Sequence, residues 1–238
     1  MIQTNKKKLI IIGGKGNGTV IASAIEDYIE KNGGWEIIGY LNDFEKKDTM
    51  FNGLPVLDKI DNINRYNKKD CYFIYALLSA GKAFERKKKL TALGISNDKF
   101  ATFVHPTAVV SNYSQLGKGV VIMPHVVISP NVFIGDHTHI YANAFVGHDT
   151  TVNNFCFIAN NASLGSTIVL QEGVHIGSNS TILEKVSIGE WSLVGIGSVI
   201  LKNVPPYVKI VGNPAKTIGD VNIQHKNSIS TSYINNVF

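Results

Sequence analysis

Cysteine is nearly absent: Cys71 and Cys156 are the only two in 238 residues. Each sits among apolar or aromatic neighbours, so a disulfide framework is excluded and buried thiols in a reducing compartment are expected. Long hydrophobic runs are lacking too. The apolar stretch at residues 9–12 follows Lys6, Lys7 and Lys8 but is too short for a signal-peptide core, and it leads straight into glycines. With no run of the ~20 apolar residues a membrane helix needs, a soluble, cytoplasmic chain without a membrane partner is expected. The net charge of +5 is scattered over separate lysine groups, the last being Lys87, Lys88 and Lys89 on a predicted helix. No basic groove interleaved with aromatics accompanies it, which excludes nucleic acid as the expected partner.

What the chain does have is a six-residue rhythm. From Val104 to Ile200 every sixth residue is aliphatic without a slip, through Ile122, Ile140, Ile158, Ile176 and Val194 among others. Four positions after most of these comes a small or β-branched residue, such as Ala108, Ser114, Thr138, Ala144, Ser180 or Ser198. Neither a helix nor a flat sheet repeats at six, whereas a triangular parallel β-solenoid does, with the aliphatic pointing inward and the small residue filling a corner. The glycines that follow the inward aliphatics by one (Gly117, Gly135, Gly147, Gly165, Gly177, Gly189, Gly195) are read as corner residues in tight backbone geometry.

Ahead of this repeat the pattern alternates. Residues 9–12 read as a buried strand, Gly13 to Gly18 as a glycine turn, and residues 20–30 as an amphipathic helix. That is the anion-cradling device of nucleotide-binding α/β folds, although a tight turn without a ligand has the same local sequence. A second strand at residues 35–41 ends in Asn42 and Asp43, where a carboxylate is placed to accept bonds from a ribose or base. A third strand at 72–77, a helix at 82–93 and a last strand at 100–104 complete a small parallel sheet. The expected architecture is an α/β nucleotide-binding domain (1–104), a parallel β-helix (105–216) and a C-terminal tail (217–238) that caps the last coil.

Six of the seven histidines lie in or beside the repeats: His105, His125, His137, His139, His148 and His175, all at non-inward positions and therefore expected on the surface. His148 stands out because Asp149 follows it, and a histidine with a carboxylate partner is the usual general base. A zinc site shared between subunits needs three suitably spaced histidines, and the spacing does not supply them, so no metal is expected.

Taken together, residues 11–20 (IIGGKGNGTV), 39–43 (GYLND), 103–106 (FVHP), 121–128 (VIMPHVVI), 146–149 (VGHD) and 204–216 (VPPYVKIVGNPAK) resemble the NeuD/PglD-type sugar O- and N-acyltransferases. The resemblance implies a left-handed β-helix, a homotrimer, and transfer of acetyl from acetyl-CoA to a sugar that is commonly nucleotide-linked. It implies His148 as base and Asp149 as its support. Gly165, Ser166, Gly177, Ser178 and Gly195 would contact acetyl-CoA, while Gly14, Lys15, Gly16, Asn17, Gly18, Asn42 and Asp43 would hold the nucleotide. The sequence departs from the family where Lys15 and Asn17 replace a small residue and a histidine, where Asn42 stands for an acid, and where Phe157 stands for a second histidine. The leading expectation is N-acetylation of an amino sugar of the 4-amino-4,6-dideoxy type. O-acetylation of a sialic-acid-type sugar and a non-catalytic sugar-nucleotide-binding β-helix are the alternatives.

Overall fold

The structure, a computed structural model, describes residues 6–221. The N-terminal domain is built from β1 (Lys7–Ile12), α1 (Asn17–Asn32), β2 (Trp35–Leu41), β3 (Met50–Phe51), β4 (Leu54–Asp58), β5 (Cys71–Tyr75) and α2 (Ala83–Ala92). Its sheet runs β3-β4-β2-β1-β5, parallel throughout except for the β3–β4 hairpin, which the sequence pattern did not announce. Central β1 is aliphatic on both sides because both sides are covered. Leu9 and Ile11 pack with Ile21, Ala22 and Ile25 of α1. Ile10 and Ile12 pack with Phe73, Tyr75 and Leu90. Each such side chain contributes roughly 1.5–3 kcal/mol by leaving water.

From Phe103 to Ile200 the chain forms seventeen two-residue strands at six-residue intervals, arranged as three parallel sheets. Each strand pairs with the one a coil later, as Phe145 does with Ser163 and Val146 with Leu164. One face of the prism carries Val121–Ile122, His139–Ile140 and Phe157–Ile158; the second carries Val127–Ile128, Phe145–Val146 and Ser163–Leu164; the third carries Phe133–Ile134 and Thr151–Val152. The inward aliphatics form one continuous core, fully buried from Ile122 onward and half-buried in the first coil at Val104, Val110 and Leu116. Thr138, Ser180 and Ser198 are fully buried in the corners, where Thr138 Oγ1 donates to the Asn153 carbonyl (2.9 Å) and Ser180 Oγ to that of Gly195 (2.9 Å).

Two expectations shift. Phe103–Val104 pairs with Val121–Ile122, so this strand is the first rung of the β-helix, while Phe100 still bridges to Phe73 of the α/β sheet. At the other end Val208–Gly212 continues the first face and turns into an antiparallel partner, Ala215–Asp220, which carries the ordered fold past residue 216. The rest of the proposed tail cap, 222–238, lies outside the described residues.

The corner glycines serve a different purpose from the one read in the sequence. The left-handed backbone falls two residues later, on Asp149 (φ 56), Phe155 (φ 58), Asn161 (φ 58) and Thr167 (φ 60). The glycines are there because the coils touch: a Cβ on Gly147 would lie 2.5 Å from the Gly165 carbonyl oxygen.

The N-terminal domain packs on the first face. Ile11, Tyr40, Phe51, Val121, Met123 and Tyr141 share one apolar cluster. Lys87 of α2 bonds both Glu172 oxygens (2.7 and 2.8 Å), and Phe84 meets Trp191 edge-on at 5.3 Å. This covering overturns the surface reading of the histidines. His105, His137 and His139 are buried, and burial pushes His137 and His175 down to about 4 and His139 to about 3.

Candidate active site

His148 leaves the prism at the corner between the second and third faces, directly opposite the face that carries the N-terminal domain. Its side chain is 60% exposed, and Nδ1 lies 2.6 Å from Asp149 Oδ2. The other Asp149 oxygen accepts a bond from Asn131 Nδ2 at 3.0 Å. Hydrogen bonds from His148 and then Asn131 hold the Asp149 carboxyl below its ordinary 3.8, so it is ionised and can only accept. The proton of a neutral His148 therefore sits on Nδ1, and the Nε2 lone pair faces outward. Asn131 escaped the sequence reading, yet it stands one coil before Asp149, and the repeat length alone would have located it.

One coil on, Gly165 and Ser166 lie against Gly147: a Cβ there would stand 2.8 Å from the Ser166 nitrogen, and the His148 backbone carbonyl accepts a bond from the Thr167 amide at 2.8 Å. The Ser166 N–H makes no hydrogen bond among the described residues. Gly177, Ser178 and Gly195 are not beside His148 in this chain. They line the corner between the first and second faces, where Gly177 abuts the Gly195–Ile196 backbone and Gly195 lies under Val211.

The glycine turn closes β1 onto α1. Gly18 packs against the Gly13 backbone, and Gly16 (φ 87) leads into α1 with no side-chain cap on the helix's first amides. Asn17 Nδ2 donates to the Leu78 carbonyl (2.8 Å), and exposed Lys15 pairs with Glu45 (3.2 Å). Asn42 is buried and turned to the chain itself: its Nδ2 donates to the Gly13 carbonyl (3.1 Å) and its Oδ1 accepts from the amides of Phe44 and Glu45. Asp43 accepts from the Ile60 amide (2.9 Å) and from Lys89, while Lys59 bonds its carbonyl. Burial works to raise the Asp43 carboxyl, but these partners outweigh it and hold the group below 3.8. Lys59 and Lys89 were missed because nothing local in sequence links them to Asp43.

Residues 8–93 match the PglD N-terminal domain. Over 117 residues the chain is 29% identical to the UDP-N-acetylbacillosamine N-acetyltransferase of Bacillus subtilis (strain 168), a match covering 49% of this chain and 51% of that protein, so the chain aligns with about half the length of this curated relative. Among solved structures, a histidine-to-asparagine mutant of perosamine N-acetyltransferase from Caulobacter crescentus, in complex with CoA and GDP-perosamine, superposes with a TM-score of 0.79 at 26% identity, covering 90% of this chain and 97% of that one. The acetyltransferase domain of PglB from Neisseria gonorrhoeae FA1090, in complex with acetyl coenzyme A, gives 0.78 at 26% identity over 90% and 100%. The chain is thus similar to the NeuD/PglD-type family in its N-terminal domain and in its overall fold. Its solenoid is accordingly the left-handed parallel β-helix.

Two polar clusters are thus held apart, one at the glycine turn and one at the far corner of the prism. Among the described residues no group of His, Cys, Asp or Glu could hold a metal, and no helix is long and apolar enough to cross a membrane.

Proposed function

We propose that the chain is an acetyl-CoA-dependent N-acetyltransferase acting on the amino group of a nucleotide-linked amino sugar of the 4-amino-4,6-dideoxy type. The observation that carries this reading is the His148–Asp149–Asn131 relay, solvent-facing and set over the unpaired Ser166 amide. The relatives that bind CoA and GDP-perosamine, or acetyl coenzyme A, support the two substrate classes.

In the proposed reaction the neutral sugar amine attacks the thioester carbonyl. The N–C bond forms as the amine proton passes to His148 Nε2, and the Ser166 amide donates to the developing oxyanion. The C–S bond then breaks and the imidazolium returns its proton to the leaving thiolate. Asp149 holds the ring in the working tautomer and stabilises its charged form.

The placement of His148 opposite the N-terminal domain supports a site shared between copies of the chain, with the nucleotide held by one subunit and the base supplied by another. A homotrimer in the cytoplasm fits this arrangement. The second face of the prism presents Val109, Val127 and Phe145 to solvent, an apolar strip suited to a neighbouring prism. In such an assembly Gly177, Ser178 and Gly195 would line the acetyl-CoA groove from the neighbour's side, and the glycine turn with Lys15 and Asp43 would hold the nucleotide.

The test is to mix acetyl-CoA with UDP-, dTDP- and GDP-linked 4-amino sugars and follow free CoA. Release of CoA with a base-stable product supports N-acetylation, and a product cleaved by mild base would instead mean an ester. No CoA release with any of them would leave a binding protein.

A further inference from the structure

Arg65 and Arg86 are the only arginines among the 23 basic residues. Arg65 is bound to Asp58 at 3.1 Å. Arg86, on α2, has no ion pair and no side-chain hydrogen bond among the described residues, and its Nε is buried without a partner. A guanidinium carries five donors; the half-buried Arg86 leaves its Nε donor buried and unpaired, with the rest of the fork open to a ligand.

Its surroundings say which. The Arg86 carbonyl accepts the Tyr75 hydroxyl at 2.8 Å, at the carboxyl end of β5. The charges of Arg86 and Asp43 both act on that hydroxyl, which places Asp43, at the end of β2, in the same neighbourhood. One helical turn further, Lys89 reaches Asp43 itself. Arg86 and Lys89 therefore share a side of α2 beside the carboxyl ends of β2 and β5, the sheet edge at which the glycine turn also opens. Asn17 ties that turn to Leu78 in the β5–α2 connection, and the next residue, Ser79, has a buried hydroxyl with no partner. Asp43 balances Lys89. Among the described residues no carboxylate pairs with Arg86.

We propose that Arg86 binds the diphosphate of the acceptor nucleotide sugar, taking the second phosphate while the amides of the glycine turn take the first. The assignment rests on the nucleotide-sugar reading above and adds a residue to it. Planar two-pronged donation to phosphate oxygens is what distinguishes arginine from the lysines around it.

Calorimetric binding of UDP, dTDP, GDP and the matching monophosphates to the full chain tests it. For the base that wild type binds, Arg86→Gln should weaken the diphosphate about 10- to 100-fold and the monophosphate less than about 3-fold, the range expected for losing a charge-assisted bond. Arg86→Lys keeps the charge without the fork and should show an intermediate, diphosphate-confined loss; it carries the test should the glutamine variant fail to fold. Undiminished diphosphate binding, or equal loss of both ligands, would overturn the assignment while leaving the nucleotide reading intact. Wild type binding none of the nucleotides would overturn both.

Discussion

His139 and His148 belong to one coil of the β-helix and meet opposite environments: His139 is fully buried on the face beneath the N-terminal domain, and His148 is solvated at the corner across from it. Neither His139 ring nitrogen has a hydrogen-bond partner among the described residues. The same residue type therefore costs stability at one place and is available for chemistry at the other.

The buried histidines set a pH limit on stability. Burial lowers His137 and His175 to about 4, and burial together with the nearby His137 lowers His139 to about 3, from 6.5. Between these values the unfolded chain binds more protons than the folded one, so this contribution to stability is intact above pH ~6.5 and falls as the pH drops toward 4. Replacing His139 by Leu removes two unpaired polar atoms and one of these protons. Thermal melts should show a higher Tm, with a larger gain at pH 5 than at pH 8. An equal gain at both, or a loss, would show that His139 is not held neutral.

At the exposed corner the expectation is catalytic. His148→Ala should lose about 10²- to 10⁴-fold in kcat, the usual worth of general-base help, with a melting curve close to wild type because the side chain is solvated. Asp149→Asn should lose less, roughly 10-fold or more, with a larger effect on kcat than on KM. Near-full turnover by His148→Ala would remove the base assignment.

Coil spacing gives a structural prediction. Gly147→Ala would put a methyl 2.5 Å from the Gly165 carbonyl oxygen, with backbone on all sides, so the two coils must part. The expected cost is about 1–3 kcal/mol, read by denaturant unfolding, accompanied by lower activity because His148 follows directly in the chain. An alanine tolerated without loss of either would mean that the coils stack more loosely than described.

How far the sequence could be read depended on whether a feature repeats. The solenoid was legible because each inward aliphatic, from Val104 to Ile200, solves the same packing problem every six residues. His148 and Asp149 were legible because they adjoin. The fate of the other histidines was not, since burial of His137 and His139 comes from a separate domain settling on that face. Asn42 and Asp43 were correctly placed at the end of β2, yet Asn42 turns out to brace the glycine turn, and Asp43 depends on Lys59 and Lys89, which approach from distant positions. The positions Gly177 and Gly195 look equivalent to Gly165 in the repeat but occupy a different corner, a distinction that needs the 18-residue coil and not the six-residue unit.

Because His148 stands opposite its own N-terminal domain, the central claim is that one catalytic site draws on two chains. The direct measurement uses two differently tagged, co-expressed variants: His148→Ala, and a glycine-turn variant combining Lys15→Asp with Asn17→Asp, which sets two carboxylates against the phosphates. Each alone should be inactive. In purified mixed trimers one of the three junctions joins an intact base to an intact glycine turn, so about a third of the wild-type rate should return. Mixed assemblies no more active than the two parents would contradict the shared site.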